Sequence, residues 1–147
     1  MPAVGEVWKH LDFYTDGETG EPLPKYLLIL AIRPDGDIVH RLLTSRPYNR
    51  LEDPACSHDE DRPGYYFGVL QPLGELRKKT WLDLRELSDD YDKRDFDTFT
   101  KNAVLTLVHA IPVASLCPAL SCAAYAPDTT RKQKDYIMNA RAALKCP

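Results

Sequence analysis

The chain has 147 residues, 44% of them hydrophobic and 28% charged, and its formal net charge is −3. That length suits a single domain, 1–147, that buries a core without help from metals or disulfides. The acidic balance excludes a protein that holds nucleic acid by global charge, so any such role must rest on a local patch.

The opening MPAVGEVWKH lacks the basic and apolar regions of a secretory signal, and no apolar run approaches the ~20 residues of a membrane span. A cytoplasmic location is expected, with no membrane partner. In a reducing compartment Cys56, Cys117, Cys122 and Cys146 are expected as free thiols. Twelve prolines against seven glycines predict short elements with stiff connections.

Residues 5–13 read as a first strand, with Val7, Lys9 and Leu11 on one face and Trp8, His10 and Asp12 on the other. The acidic stretch TDGETGEPLP follows as a surface loop. Residues 25–32, KYLLILAI, form a short apolar run between prolines, which suits a strand buried on both faces. A turn at Arg33-Pro34-Asp35-Gly36 predicts a hairpin with residues 37–45. In that third strand Ile38, His40, Leu42 and Thr44 share one face, and Val39, Arg41, Leu43 and Ser45 share the other.

Residues 46–63 are polar, acidic and unpatterned, as in a loop. Residues 64–71 and 80–87 return to strand composition, and in the latter Trp81, Asp83 and Arg85 oppose Leu82, Leu84 and Glu86. Residues 96–102 predict one or two helical turns, and 104–111 another strand. Ser115 is the expected N-cap of the helix LCPALSCAAYA. A last helix is expected over 130–144, capped by Asp128 or Thr129, with Tyr136, Ile137, Ala140 and Ala143 as its apolar stripe. Strands early and helices late predict a mainly β protein with helices (α+β): a small β-barrel or half-barrel with helical additions.

The polar end of the third strand is the chemical focus. Thr44 and Ser45 offer hydroxyls to phosphate oxygens, Arg46 a planar fork, and Arg50 further charge. The bland alternative is that Thr44-Ser45 ends a strand and Arg46-Pro47 begins a loop. Tyr65, Tyr66 and Phe67 suit a core, but alternation turns one of them outward, where Tyr65 beside Arg62 could stack a base. His40 shares a face with Thr44 but sits roughly 13 Å along the strand. His109 reads as a core residue, His10 lies on the first strand opposite Val7 and Leu11, and His58 reads as solvated loop.

Cys56-x-His58 with Cys117-x4-Cys122 makes a four-ligand zinc set on paper, but the spacing is wrong for a tight knuckle. Cys117 and Cys122 also point about 140° apart on a helix. No metal and no cofactor are expected, and the sequence carries no Gly-rich phosphate loop, HExxH or GxSxG.

The order of parts resembles the MazF/PemK family of toxin ribonucleases, which are SH3-like barrels. Gly5-Glu6-Val7-Trp8 with Asp12-Phe13 is similar to the family's opening strand, and a Gly-containing loop leads into the apolar strand 26–32. Leu42-Leu43-Thr44-Ser45 matches a family strand that ends in Thr-Ser, and a late apolar strand precedes a short helix over 104–125. Where the family carries Arg-Pro at the second strand, with that Arg central to catalysis, this chain reads Lys25-Tyr26. The resemblance implies an SH3-like barrel core over about 5–125 with a C-terminal helical extension, 128–147.

It also implies a toxin-type protein that binds single-stranded RNA and cuts it without metal. Lys25, Thr44 and Ser45 would be the catalytic groups, and Arg46, Arg50, Arg62 and Tyr65 the RNA-binding ones. The implied partners are a cognate antitoxin and a second copy in a homodimer. Two other readings stay open. One is a catalytically silent SH3-like interaction or nucleic-acid-binding module. The other is an inhibitor of a nucleic-acid enzyme acting through the acidic runs at Glu52-Asp53, Asp59-Glu60-Asp61, Asp89-Asp90 and Asp92.

Overall fold

A computed structural model describes residues 2–15, 17–87 and 89–147. Seven strands run as β1 (Glu6–Thr15), β2 (Pro22–Ile32), β3 (Ile38–Thr44), β4 (Cys56–Ser57), β5 (Gly64–Gly68), β6 (Thr80–Asp83) and β7 (Leu105–Ala110). Three helices, α1 (Lys93–Lys101), α2 (Val113–Ala124) and α3 (Arg131–Ala143), interrupt and follow them. The strands form one antiparallel sheet in the order β4-β5-β6-β3-β2-β1-β7.

The expectation of an SH3-like barrel is therefore corrected. β4 and β7 stand at opposite edges of an open α+β sheet, and no ladder joins them among the described residues. Closure fails for a reason visible in the burial: helices cover both faces, so the sheet does not need to curl upon itself to hide apolar side chains. On one face α2 and α3 enclose Val7, Leu28, Leu30, Val39, Leu43, Leu82 and their neighbours. On the other, Phe96 of α1 meets Trp8, Leu27, Ile29, Ile38 and Leu105, its ring edge-on to Trp8 at 4.9 Å.

β2 shows how the apolar run serves both layers. Leu28 and Leu30 enter the first cluster, and Leu27 and Ile29 the second. The pairing with β3 then slips between Ile29 and Ala31, so Ala31 joins the same cluster as Leu30. An extra residue in one strand reverses the alternation, as a bulge does.

The β2–β3 hairpin forms across the expected turn. The Arg33 N–H donates to the Asp37 carbonyl at 2.8 Å, and Gly36 occupies φ +92, which suits glycine. β1 and β2 run further toward each other than expected, pairing Thr15 with Pro22. Of the acidic loop read there, Asp16 lies outside the described residues. β4 falls within the stretch expected to be loop, because only two residues pair with β5 and leave no pattern to read.

Helix starts differ in detail from expectation. Pro112, not Ser115, precedes the first turn of α2, and no side chain caps it. Thr130, rather than Asp128 or Thr129, caps α3. Its hydroxyl accepts from the Gln133 N–H at 3.1 Å, and the Gln133 side chain accepts from the Thr130 N–H at 3.0 Å.

The expectation of free thiols is corrected too. Cys56 is bridged to Cys122 and Cys117 to Cys146. The two α2 cysteines do face different ways, as their spacing requires, and each finds its own partner. Among the described residues no helix is long and apolar enough to cross a membrane.

Candidate nucleic-acid interface

At the end of β3 the sheet opens into a cleft of about 490 Å³. Lys25, Thr44, Arg46, Arg50, Arg62 and Arg85 line it, together with Asp83. Five cationic side chains thus face one carboxylate in a chain whose net charge is negative.

The strands explain the convergence. Tyr26 pairs with Leu43, so Lys25 lies one step further along β2, level with Thr44. On the other side of β3, Thr44 pairs with Trp81 and Leu42 with Asp83. Asp83 therefore stands on the β6 side of the cleft and Lys25 on the β2 side. The Thr44 hydroxyl accepts from the Arg46 N–H at 3.2 Å, which fixes the first residue of the following loop.

That loop is pinned rather than free. The Trp81 indole N–H donates to the Leu51 carbonyl at 2.9 Å, and the Tyr66 N–H to the Ala55 carbonyl at 2.9 Å. Tyr48 and Asn49 take positive φ values, 30° and 63°, in a turn closed by the Arg50 N–H donating to the Pro47 carbonyl. This turn directs Arg50 inward. Only 4% of its side chain is exposed, Nη2 stands 3.8 Å from Asp83 Oδ2, and Nε and Nη1 are buried without a hydrogen-bond partner. Burial pushes the Arg50 pKa down from its ordinary value against the pull of Asp83.

Asp83 is held more firmly by Arg85, whose Nη2 lies 2.7 Å from Oδ2 and whose Nε lies 3.0 Å from Oδ1. Burial raises the Asp83 pKa, but hydrogen bonds and charge from Arg85, with the charge of Arg50, outweigh it, and the carboxyl ends below its ordinary value. It is a fixed anion that organises two guanidiniums.

Of the seven residues singled out in the sequence, five line this cleft. Ser45 does not: it faces a smaller hollow of about 280 Å³ beside Glu75, Arg77 and Lys78, because alternation sends it to the opposite side of the strand end. Thr44, at the boundary, lines both hollows. Tyr65 is also displaced. It packs against the core under the helices with its ring edge-on to Phe67 at 5.1 Å, and burial raises its pKa. The tyrosine beside Arg62 is Tyr48, 57% exposed, with the guanidinium 5.9 Å from the ring centre. Sequence reading missed Tyr48, since nothing local couples it to Arg62. Arg85 and Asp83 were legible as neighbours on one strand face but not as part of the site.

On the same side of the sheet, Phe13 also borders a second hollow lined by Asp37, Asp89, Asp90, Asp92 and Asp95. His40 lies here, 5% exposed, with burial lowering its pKa to about 4. Arg41, 2% exposed, points the other way; it donates to the His40 carbonyl at 2.8 Å and to Gln133 Oε1 at 3.2 Å. Gln133 in turn donates to Asp90 at 2.9 Å, which ties α3 to this acidic wall. Among the described residues no histidine lines the basic cleft.

No protein-family model matches the chain, and neither a curated protein nor a solved structure matches it. In the basic cleft Asp83 holds Arg85 and attracts Arg50, and an acidic hollow lies beside it across Phe13.

Proposed function

We propose that the basic cleft binds the phosphate backbone of single-stranded RNA. The observation that carries this reading is the gathering of Lys25, Arg46, Arg50, Arg62 and Arg85 with the Thr44 hydroxyl around one cleft of a chain whose net charge is −3. Guanidinium and ammonium donors form strong charge-assisted hydrogen bonds with phosphate oxygens. Tyr48, exposed at the mouth under Arg62, offers a stacking face that an unpaired base can use and a duplex cannot.

Metal-independent cleavage is the finer form of the same reading. It supposes that a 2′-OH attacks the adjacent phosphorus while Lys25, Arg46 and Arg50 offset the developing negative charge. The shared cleft of Lys25 and Thr44 favours it. The lack of a histidine among the described cleft residues favours binding without turnover, because proton transfer then falls to Lys25 and Asp83. In the toxin–antitoxin version, an acidic antitoxin segment occupies the cleft in place of RNA, and a second copy of the chain completes a homodimer. A cytoplasmic setting would open both disulfides and an oxidising one would keep them closed. The cleft-lining cations are the same in either.

Labelled single-stranded RNA incubated with the protein in excess chelator tests the proposal. Binding that weakens steeply with salt supports the cleft reading, and cutting that Thr44→Ala abolishes supports its catalytic form. RNA affinity unaltered by Arg50→Met and Arg46→Ala together would overturn both.

A further inference from the structure

The cleft leaves one chemically distinctive cluster unused. At the sheet's β4 edge, Cys56, His58 and Cys122 bring one ligand atom each to within 4.8 Å of one another. Among the described residues, no other group of three His, Cys, Asp or Glu side chains is gathered this way. His58 Nε2 lies 3.4 Å from Cys56 Sγ, 3.7 Å from Cys122 Sγ and 2.9 Å from the Cys122 carbonyl. We propose that these three residues form a zinc site that is closed while Cys56 and Cys122 are bridged and opens when the bridge is reduced.

The placement follows from the fold. Cys56 and His58 are two residues apart at β4, so both project to the side where α2 packs. Cys122, 3% exposed, meets them from α2. A structural disulfide has no need of an imidazole, and among the described residues the Cys117–Cys146 bridge has no histidine gathered beside it. The donor set suits Zn²⁺: two thiolates and one neutral imidazole, with a fourth position for water because His58 is exposed to solvent.

The chemistry balances with a dithiol as reductant. The dithiol gives two electrons and two protons to the Cys56–Cys122 bond, which breaks into two thiols, and is itself oxidised to a disulfide. Zn²⁺ then displaces the two thiol protons to solvent, and two thiolates match its charge. In the bridged form Nε2 donates its proton to the Cys122 carbonyl at 2.9 Å; on binding, that hydrogen bond breaks, the proton leaves to solvent as Nδ1 takes one up, and Nε2 turns its lone pair to the metal. Two thiolates on one tetrahedral zinc stand ~3.8 Å apart. With Cα atoms at 5.7 Å, side-chain rotation spans that change without moving β4 from α2.

The test uses the full chain carrying Cys117→Ser and Cys146→Ser, so that the other pair offers no thiols. Reduced without air and titrated with Co²⁺ as a spectroscopic substitute for Zn²⁺, it should take up one equivalent. Thiolate-to-cobalt charge-transfer absorption and the visible bands of tetrahedral cobalt should appear together, and Zn²⁺ should displace the probe. The oxidised protein should show neither. His58→Ala should weaken binding about a hundredfold, the share of one ligand in a typical structural site. Near-UV circular dichroism follows the fold, and the same titration on the wild-type chain guards against failure of the double variant. Equal uptake by the oxidised protein or by Cys56→Ser/Cys122→Ser would overturn the proposal. So would absence of the charge-transfer band in both reduced forms.

Discussion

Arg50 and Asp83 stand 3.8 Å apart in the lining of the cleft, close enough for attraction and too far for a full hydrogen bond. Asp83 is engaged by Arg85, so Arg50 is a buried cation whose charge is only partly answered. Removing one member of a buried ion pair destabilises when it strands the other charge, but here Asp83 keeps its bidentate partner Arg85 and the desolvation cost of Arg50 is removed. Arg50→Met should therefore leave the melting temperature unchanged or higher, while RNA affinity falls about tenfold and the salt dependence of binding loses about one phosphate contact. Thermal melts and a salt series of binding curves on the same preparation check both halves.

Thr44 has two roles that a pair of substitutions separates. Its hydroxyl accepts from the Arg46 N–H and also lines the cleft. Thr44→Ala should lower stability by about 1 kcal/mol and weaken RNA binding through a loosened Arg46. Thr44→Ser should restore most of both. Equal losses in the two variants, measured by denaturant unfolding and RNA titration, would assign the effect to the methyl group instead.

His40 makes stability depend on pH. Its folded pKa of about 4 lies below the unfolded value near 6.5, so between these the unfolded chain binds more protons. The contribution is fully present above pH ~6.5 and is lost as pH falls toward 4, by about 3 kcal/mol in all. Burial is the main cause; the nearby charge of Arg41 deepens the depression, and Asp90 opposes it. His40→Gln should flatten this part of the profile relative to wild type in urea unfolding from pH 4 to 7. An unchanged slope would place the titration elsewhere, with His10, whose pKa is also lowered by burial, as the next group to substitute.

Gly64 sits where β5 passes β6 beside Arg50. A Cβ there would stand 2.9 Å from the Leu82 carbonyl and 3.9 Å from Arg50 Nη1. Gly64→Ala must push the two strands apart and should destabilise by about 1–3 kcal/mol. RNA binding should fall with it, since the displaced backbone carries the wall against which Arg50 rests. Comparison with Gly17→Ala, where open space surrounds the position, supplies the control.

Much of the sheet was legible in the sequence, because alternation and turn chemistry are local. The apolar run of β2, the Asp35-Gly36 turn and the faces of β3 follow from neighbours in the chain. The convergence of Lys25, Thr44, Arg46, Arg50 and Arg62 was anticipated only as far as a shared strand end. What escaped was global. Whether seven strands close or stay open depends on which faces the helices cover, and no window of sequence records that. Tyr48 was missed because its partner lies fourteen residues away across a pinned loop. Ser45 keeps the face opposite Thr44 that alternation gives it and so misses the cleft, while Tyr65 takes the core side of the pleat, a choice that the run of aromatics in 65–67 does not reveal.

The two bridges have a topological consequence. Their spans overlap, 56 to 122 and 117 to 146, with each enclosing one anchor of the other. A protease that nicks the oxidised chain once anywhere between Cys56 and Cys146 therefore releases no fragment. A cut in the exposed run Asp59-Glu60-Asp61 would leave one covalent species in denaturant and two only after thiol is added.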